Sequence, residues 1–512
     1  MKNCKTKVVF KDYIANQILL LPPSLDELIE SNHPVRVVNK VIDSINIDEL
    51  LEAYSGGGTS SYHPRMLLKV LVYGYLCNQY SSRKLEGCLK ENIHFMWLSG
   101  MQQPDHNTIN RFRSERLKDA LKNIFAQTVH LLSNSGHLSL KEVYIDGTKI
   151  EANANRYTFV WGNSIKYHKA KMQEQLKELW DYTQSVAKEE IKDGTPIDFK
   201  EISPELIAET VDTIHSLLKD KEEVPQKIKQ KINYARKRWA KKLKEYAEQE
   251  KTLKGRNSYS KTDTDATFMR MKEDHMKNGQ LKPGYNLQIS TNNQYIVNYT
   301  LHPNPTDTKT LASHLVSFKK TLKTKPAVIT ADAGYGSEEN YKLLEKENIT
   351  SYIKYNYFDK EQSKHFLKEN YRSDYLTYDK ENDMLMCPSG KPMHRTKEFT
   401  RNTNTGLTQH YTSYRAVNCQ GCELREKCHQ SKYDRKVDLN HPLRNYKQLA
   451  TANLQSETGI YHRKKRCYDV EPVFANIKHN KKFKRFNLRG ANKAEIETGL
   501  IALAHNLKKA AA

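Results

Sequence analysis

VITADAGYGSEEN, residues 328–340, decides how the rest of the chain is read. An apolar, β-branched run ends in a lone carboxylate, Asp332, and Gly334 and Gly336 follow before a helix-like segment. A short buried strand leading into a helix is the pattern of a mixed α/β sheet. A second apolar run has the same shape: VYIDGTKIEANANRY, residues 143–157, places Asp146 and Gly147 after its apolar residues. The glycines are expected to turn the chain sharply off each strand. Two carboxylates at the ends of neighbouring strands can hold Mg²⁺, which keeps several waters and completes its shell with phosphate oxygens.

The neighbours of these runs fit one sheet. YNLQIS and QYIVNYT flank TNN and read as a hairpin. DTKTLASHLVSFKKTL and SEENYKLLEKEN read as helices, and ITSYIKYN as a strand. With residues 141–150 as the first strand, the order is strand, hairpin, helix, strand, helix, strand, an α/β pattern. Residues 1–135 read as mainly helical. In QPDHNTINRFRSERL, Asp105 or Asn107 caps a helix carrying Arg111, Arg113 and Arg116. Two helices, a polar turn and a basic helix resemble a helix-turn-helix; an ordinary bundle with a solvated basic face reads equally well. Residues of about 163–255 form a helical insertion, with seams at Met172, Leu176, Leu179 and Val186 and at Ile228, Ile232, Ala235, Trp239 and Tyr246. Ser203-Pro204 opens a helix, and DGTP (193–196) and EEVP (222–225) are breaks. Residues 358–455 read as irregular, and the chain from 457 onward as helical and very basic.

The net charge of +23 on 512 residues makes a polyanion the first candidate partner, and nucleic acid the first polyanion. No run approaches the ~20 apolar residues of a membrane span, and the N-terminal segment is charged and interrupted, unlike a signal peptide. Of eight cysteines, Cys4, Cys77, Cys88 and Cys467 are scattered, which suits free thiols in a reducing compartment. Cys387, Cys419, Cys422 and Cys428 are grouped. CQGCELREKC gives C-x2-C-x5-C with Cys387 upstream, a spacing that suits structural tetrahedral zinc, with His429 able to replace one ligand. Free thiols in a loop are the other reading.

A two-metal phosphoryl-transfer site needs a third carboxylate, and the best candidate is Glu471 in VEPVFANIK. Val470, Phe474 and Ile477 form an apolar stripe, Glu471 lies beside it, and Lys478 falls two turns on along the same side. Pro472 either starts a helix with Glu471 at its cap or kinks a longer one. Taken singly, each carboxylate is more often a cap or turn residue, and Asp263 and Asp265 compete for the same role.

Together YIDGTKIEA, ADAGYGSEENY and VEPVFANIKHNKKFKRFNLRG resemble the DDE transposases of bacterial insertion sequences. HPRMLLKVLVYGYL and QPDHNTINRFR resemble the helical domain that precedes the catalytic domain in one subgroup. The resemblance implies an N-terminal helical DNA-binding domain (1–135) and a ribonuclease H-like catalytic domain (136–512), interrupted by the helical insertion and, at about 358–455, by a zinc-ribbon-like insertion. It implies Asp146, Asp332 and Glu471 as the Mg²⁺ or Mn²⁺ ligands. The family's third motif, Y-x2-R-x3-E-x6-K, is met at Glu471 and Lys478, but its Tyr and Arg positions fall on Lys464 and Cys467. Tyr461, Arg463 and Arg466 lie nearby as substitutes, so the departure concerns contacts to the DNA end. Lys478, Arg463, Arg466, Arg111, Arg113, Lys482 and Arg485 are the expected DNA contacts. Phe483 and Phe486, interleaved with the basic residues, read as a DNA-contacting or a core-facing pair. The implied activity is DNA cleavage at element ends and strand transfer, by a homodimer in the bacterial cytoplasm at the nucleoid. A metal-dependent nuclease without strand transfer, or a catalytically silent DNA-binding derivative, are the alternatives.

Overall fold

The computed structural model describes residues 24–52, 54, 61–187, 199, 201–271, 279–363, 366 and 371–512. Cys4 and the DGTP break lie outside the described residues.

The central sheet starts with β1 (Glu142–Glu151). Two short strands, β2 (Phe159–Trp161) and β3 (Ser258–Ser260), pair with each other at the root of the helical insertion. The sheet then continues with β4 (Thr267–Arg270), β5 (Leu281–Asn292), β6 (Tyr295–His302), β7 (Val328–Ala331) and β8 (Thr350–Ile353). β5 runs antiparallel to β1, and β4 and β6 pair antiparallel along the far edge of β5. On the other side of β1, β7 and then β8 run parallel to it. The order is therefore β6-β5-β1-β7-β8 in a mixed sheet. The hairpin turn sits one step later than the sequence suggested. Asn293 (φ 51°) and Gln294 (φ 64°) are both left-handed, the backbone of a tight two-residue hairpin turn.

The described N-terminal region is helical. His33 and His63 cap helices that begin with Pro34 and Pro64, whose missing N–H costs nothing there. Of the two cap candidates it is Asp105 that caps, accepting the Thr108 N–H at 2.8 Å. The helix His106–Arg111 then passes through a π-helical turn, Phe112–Arg116, into Leu117–Asn134. These helices and the central sheet share one hydrophobic core. The C-terminal helix Ala491–Ala510 joins them, packing on Pro64–Leu76, Leu117–Asn134 and β6.

Helices Gly162–Val186, Pro204–Leu218 and Gln226–Leu253 form a second cluster around Leu176, Ile214 and Trp239. Ser203 caps its helix through the Leu206 N–H, as Ser203-Pro204 foretold.

The stretch 358–455 is not irregular. It holds an antiparallel sheet of β9 (Tyr378–Asp379), β10 (Met384–Met386), β11 (Pro392–Asn402), β12 (Thr408–Ala416) and β13 (Lys436–Leu439) in the order β13-β12-β11-β10-β9, followed by the helix His441–Gln455. The pattern hid it because β11, PMHRTKEFTRN, buries only Met393 fully and offers no apolar alternation. The basic C-terminal part is also not helical throughout. Helices Glu457–Asp469 and Glu471–Ala475 lead into a π-helical turn, Asn476–Asn480. Residues 481–490 are irregular and lie beside the end of β1, where the Phe486 N–H donates to the Glu151 carbonyl.

Candidate active site

Asp146 lies within β1 and not at its tip, since the strand continues to Glu151. Its neighbour Ile145 is paired with Ala331, the last residue of parallel β7. Asp332 follows directly, so the two carboxylates leave adjacent strands spaced about 4.8 Å apart. Asp332 caps the turn Ala333–Tyr335, accepting the Gly334 N–H at 2.9 Å. Glu471 arrives from the far end of the chain, on the helix that follows Glu457–Asp469. Pro472 falls in its first turn, after a break at Val470. Val470, Val473 and Ile477 are buried and seat this helix. One residue joins the first and third carboxylates. Arg466 Nη1 is 3.6 Å from Asp146 Oδ2, and Arg466 Nη2 is 3.6 Å from Glu471 Oε1. The Glu471 side chain stays 57% exposed, while that of Asp146 is 11% exposed. The site therefore has a buried side and an open side.

A fourth carboxylate, which the sequence reading passed over, belongs to this cluster. Asp307 follows β6, and its Oδ1 accepts from Asn286 Nδ2 and Gln288 Nε2, both at 2.7 Å. Thr308 Oγ1 donates to the Gly334 carbonyl at 3.0 Å and ties this turn to the Asp332 turn. The Tyr335 hydroxyl donates to Gln288 Oε1. Burial first, then the charges of Asp307, Asp146 and Asp332, hold the Tyr335 phenol well above its ordinary range, with Arg466 acting the other way. The glycines serve this crowding. A Cβ on Gly147 would lie 2.2 Å from Gln288 Nε2 and 2.5 Å from Asp307 Oδ1, so Gly147 gives room within a strand instead of ending it. Gly336 likewise permits close approach, since a Cβ there would lie 2.4 Å from the Lys354 carbonyl oxygen. A polar residue after β6 in HPNPTDTKT was the available signal for Asp307; it reads as a helix start.

The remaining expected residues divide by exposure. Lys478 is buried at 7% exposure in the π-helical turn. Arg463 is half-buried with its guanidinium over the Phe358 ring. Arg111, Lys482 and Arg485 are exposed; Arg485 Nε lies 3.8 Å from Glu151. Arg113 faces inward, donating to the Tyr80 carbonyl at 2.6 Å and to Asn110 at 3.1 Å. Phe483 and Phe486 are buried edge to face, 5.5 Å apart, and take the core-facing reading. Asp263 and Asp265 sit elsewhere, accepting the Gly490 and Ala491 N–H groups at the start of the C-terminal helix.

Among the described residues no three His, Cys, Asp or Glu side chains converge to the spacing of a formed metal centre. At the acidic cluster the donor set nevertheless suits a hard cation. Arg466 already stands as a positive charge between Asp146 and Glu471, and the donors are carboxylate oxygens alone. Cys387, Cys419, Cys422, Cys428 and His429 line one pocket of the second sheet's lobe. No helix among the described residues is long and apolar enough to cross a membrane.

Residues 386–511 match the family model described as a transposase DDE domain, and residues 23–115 match the one described as a transposase domain, DUF772. The first span includes Glu471 and the four grouped cysteines; Asp146 and Asp332 lie outside both. Neither the curated proteins nor the solved structures give a match. Transposase domains matched towards both ends of the chain together support a DDE-type transposase of an insertion sequence, a kind of protein tied to transposition-related DNA cleavage and transfer.

Proposed function

We propose that the protein cuts its element's DNA ends and joins them to target DNA, with Asp146, Asp332 and Glu471 as the residues that hold divalent magnesium or manganese. The observation that carries this reading is the Arg466 bridge, which brings Asp146 and the sequence-distant Glu471 to one guanidinium beside the Asp332 turn. The strand order, with three antiparallel strands followed by two parallel ones, supports a ribonuclease H-like assignment for the central sheet. The divalent ions, when bound, would supply Lewis-acid activation of the attacking oxygen and stabilise the leaving one.

The protein's own residues define the rest. Water attacks the phosphodiester phosphorus and the P–O3′ bond breaks, leaving a 3′-hydroxyl and a 5′-phosphate; that 3′-hydroxyl then attacks a target phosphorus, losing its proton to solvent, and the target P–O3′ bond breaks to leave a target 3′-hydroxyl. No covalent link to the protein is needed. Glu471, on the open side, faces incoming DNA, while Asp146 and Asp307 form the buried wall with Gln288 and Tyr335. Arg466 compensates the carboxylates before DNA arrives, and displaced from them it presents a planar fork to phosphate. Exposed Arg111, Lys482 and Arg485 provide backbone contacts, and Lys478 supports the Glu471 helix from within. A homodimer would pair two element ends, and the working compartment would be the bacterial nucleoid.

The test is Mg²⁺- or Mn²⁺-dependent cleavage of DNA carrying the inverted repeats that flank the coding region. Asp146→Asn should bind the repeats with unchanged affinity and lose cleavage by about 10³-fold or more, the scale of removing an electrostatic catalytic group. Equal cleavage by Asp146→Asn removes that residue from the site. Cleavage without joined product identifies a plain nuclease, and repeat binding without cleavage a silent derivative.

A further inference from the structure

The lobe built on β9–β13 has a small core of its own. Among the described residues only seven buried apolar side chains, from Leu376 to Leu439, form its cluster. A core of that size gives little stability alone, and small units of this kind are usually fastened by a disulfide or a metal. The loop 417–435, between β12 and β13, carries only the short helix Arg425–Cys428. Much of its bonding is internal: the Cys419 N–H donates to Asp434 Oδ1 at 2.8 Å, and Arg425 donates to the Ser431 and Lys432 carbonyls.

Three of the four grouped sulfurs, Cys387 included, already accept hydrogen bonds. The Lys391 N–H donates to Cys387 Sγ at 3.3 Å, and the Arg435 N–H to Cys419 Sγ at 3.4 Å. Arg435 Nη1 donates to Cys428 Sγ at 3.0 Å, so one residue gathers two of the sulfurs. N–H donors and a guanidinium at sulfur favour thiolate, the form that binds metal. His429 faces the same pocket with both ring nitrogens buried and without a partner.

We propose that this pocket is a structural zinc site, with Cys387, Cys419, Cys422 and Cys428 as four thiolate ligands, and that metal binding fastens the loop 417–435 onto the Cys387–Lys391 turn. The sulfurs share a pocket without converging to coordination distance, so binding and closure of the loop are one event. Each thiol gives its proton to solvent as its bond to zinc forms, and Arg435 Nη1 leaves Cys428. Cys428 takes the fourth place because Arg435 gathers its sulfur with that of Cys419. Four thiolates leave no open position, so the metal has no part in DNA chemistry. The assignment does not depend on the transposase reading.

The lobe is also tied to the neighbourhood of Asp332. Gln409 of β12 and Asn440 donate to Glu338 at 2.8 and 2.7 Å, on the helix Glu338–Lys346 that follows the Asp332 turn. Loosening the lobe would therefore reach the acidic cluster through this helix.

The experiment is elemental analysis and native mass spectrometry of the full chain purified without chelator. About one zinc per chain is expected, retained in His429→Ala and lost in Cys419→Ser/Cys422→Ser. Chelation should lower the melting temperature and open 417–435 to protease, and added zinc should reverse both. Should the double variant fail to fold, chelated wild type titrated with cobalt should develop thiolate-to-metal absorption. Four freely alkylated thiols with no metal taken up, or a mass deficit from disulfides, would overturn the proposal. Zinc lost from His429→Ala but kept by Cys428→Ser would overturn the four-thiolate set.

Discussion

Arg466 does at the residue scale what no single carboxylate does: it joins two acids that lie more than three hundred residues apart in sequence. Its side chain is 14% exposed, and both of its contacts at 3.6 Å are charge pairs and not tight hydrogen bonds. On the proposed metal-binding role of these acids, a divalent ion entering the cluster would compete with it for the same oxygens. Replacing Arg466 by Gln should therefore tighten Mn²⁺ binding in the absence of DNA by roughly five-fold, the equivalent of ~1 kcal/mol and the size of a part-exposed ion pair. Calorimetric titration measures this directly, and weaker binding would make Arg466 a scaffold for the carboxylates instead of their competitor. Asp146, Asp332 and Glu471 stand out in sequence because each lies beside an apolar run and a glycine or proline. Asp307 was not legible. Its role comes from Asn286 and Gln288, whose amides reach it across the sheet, and nothing local in NPTDTKT reports that distance. Gly147 was noticed for the wrong reason: its need is the space taken by Gln288 and Asp307, which a turn-based reading does not see.

Elements with a buried face were readable, and those without one were not. β7 is buried along nearly its whole length, so its apolar character survives in sequence, and β5 keeps Tyr285, Leu287 and Ile289 on alternate positions of a buried strand. β11 and β12 hold each other largely through backbone pairing in a half-solvated sheet, and their side chains say little about it. The helix Glu457–Asp469 shows how an element is aimed at the site. Its last residue, Asp469, is 3% exposed and accepts the backbone N–H groups of Asn293 and Gln294 at 2.8 and 3.1 Å, at the tip of the β5–β6 hairpin. That contact fixes the helix end two residues before Glu471. Asp469→Ala removes the acceptor of two part-buried N–H groups at the hairpin tip and should cost about 1–2 kcal/mol of stability, read in urea unfolding. Because Glu471 moves with the helix end, cleavage should fall further than repeat binding in the same variant. An equal loss of both would place the effect in folding alone.

Across the whole molecule, buried bases and surface charge make opposite demands on solution conditions. Burial lowers His302 and His505 to about 4 and takes His314 well below its ordinary 6.5. Burial likewise brings Lys481, which donates to the carbonyls of Tyr75 and Leu76 at the end of a core helix, down to about 8. In every case the unfolded chain holds more protons than the folded one, so stability rises with pH through the window. The histidine contribution is complete above about 6.5 and is lost as pH falls toward 4; the lysine contribution grows from about 8 toward 10.5. Melting temperatures at fixed ionic strength should climb from pH 4 to 6.5, and a flat profile there would mean these histidines are reached by water. DNA binding instead follows the net charge of +23 and should weaken steeply with salt. Each phosphate neutralised contributes a log–log slope of about −0.9 on duplex DNA. Lys482 and Arg485 are exposed beside the end of β1, each next to a buried anchor, Phe483 or Phe486, so their backbone is held firmly while their charges stay at the surface. Replacing both with Ala should flatten the slope by about 2 and weaken all sequences alike. An unchanged slope would move the DNA path away from this segment, toward Arg111 on the N-terminal helices or the basic face of the insertion.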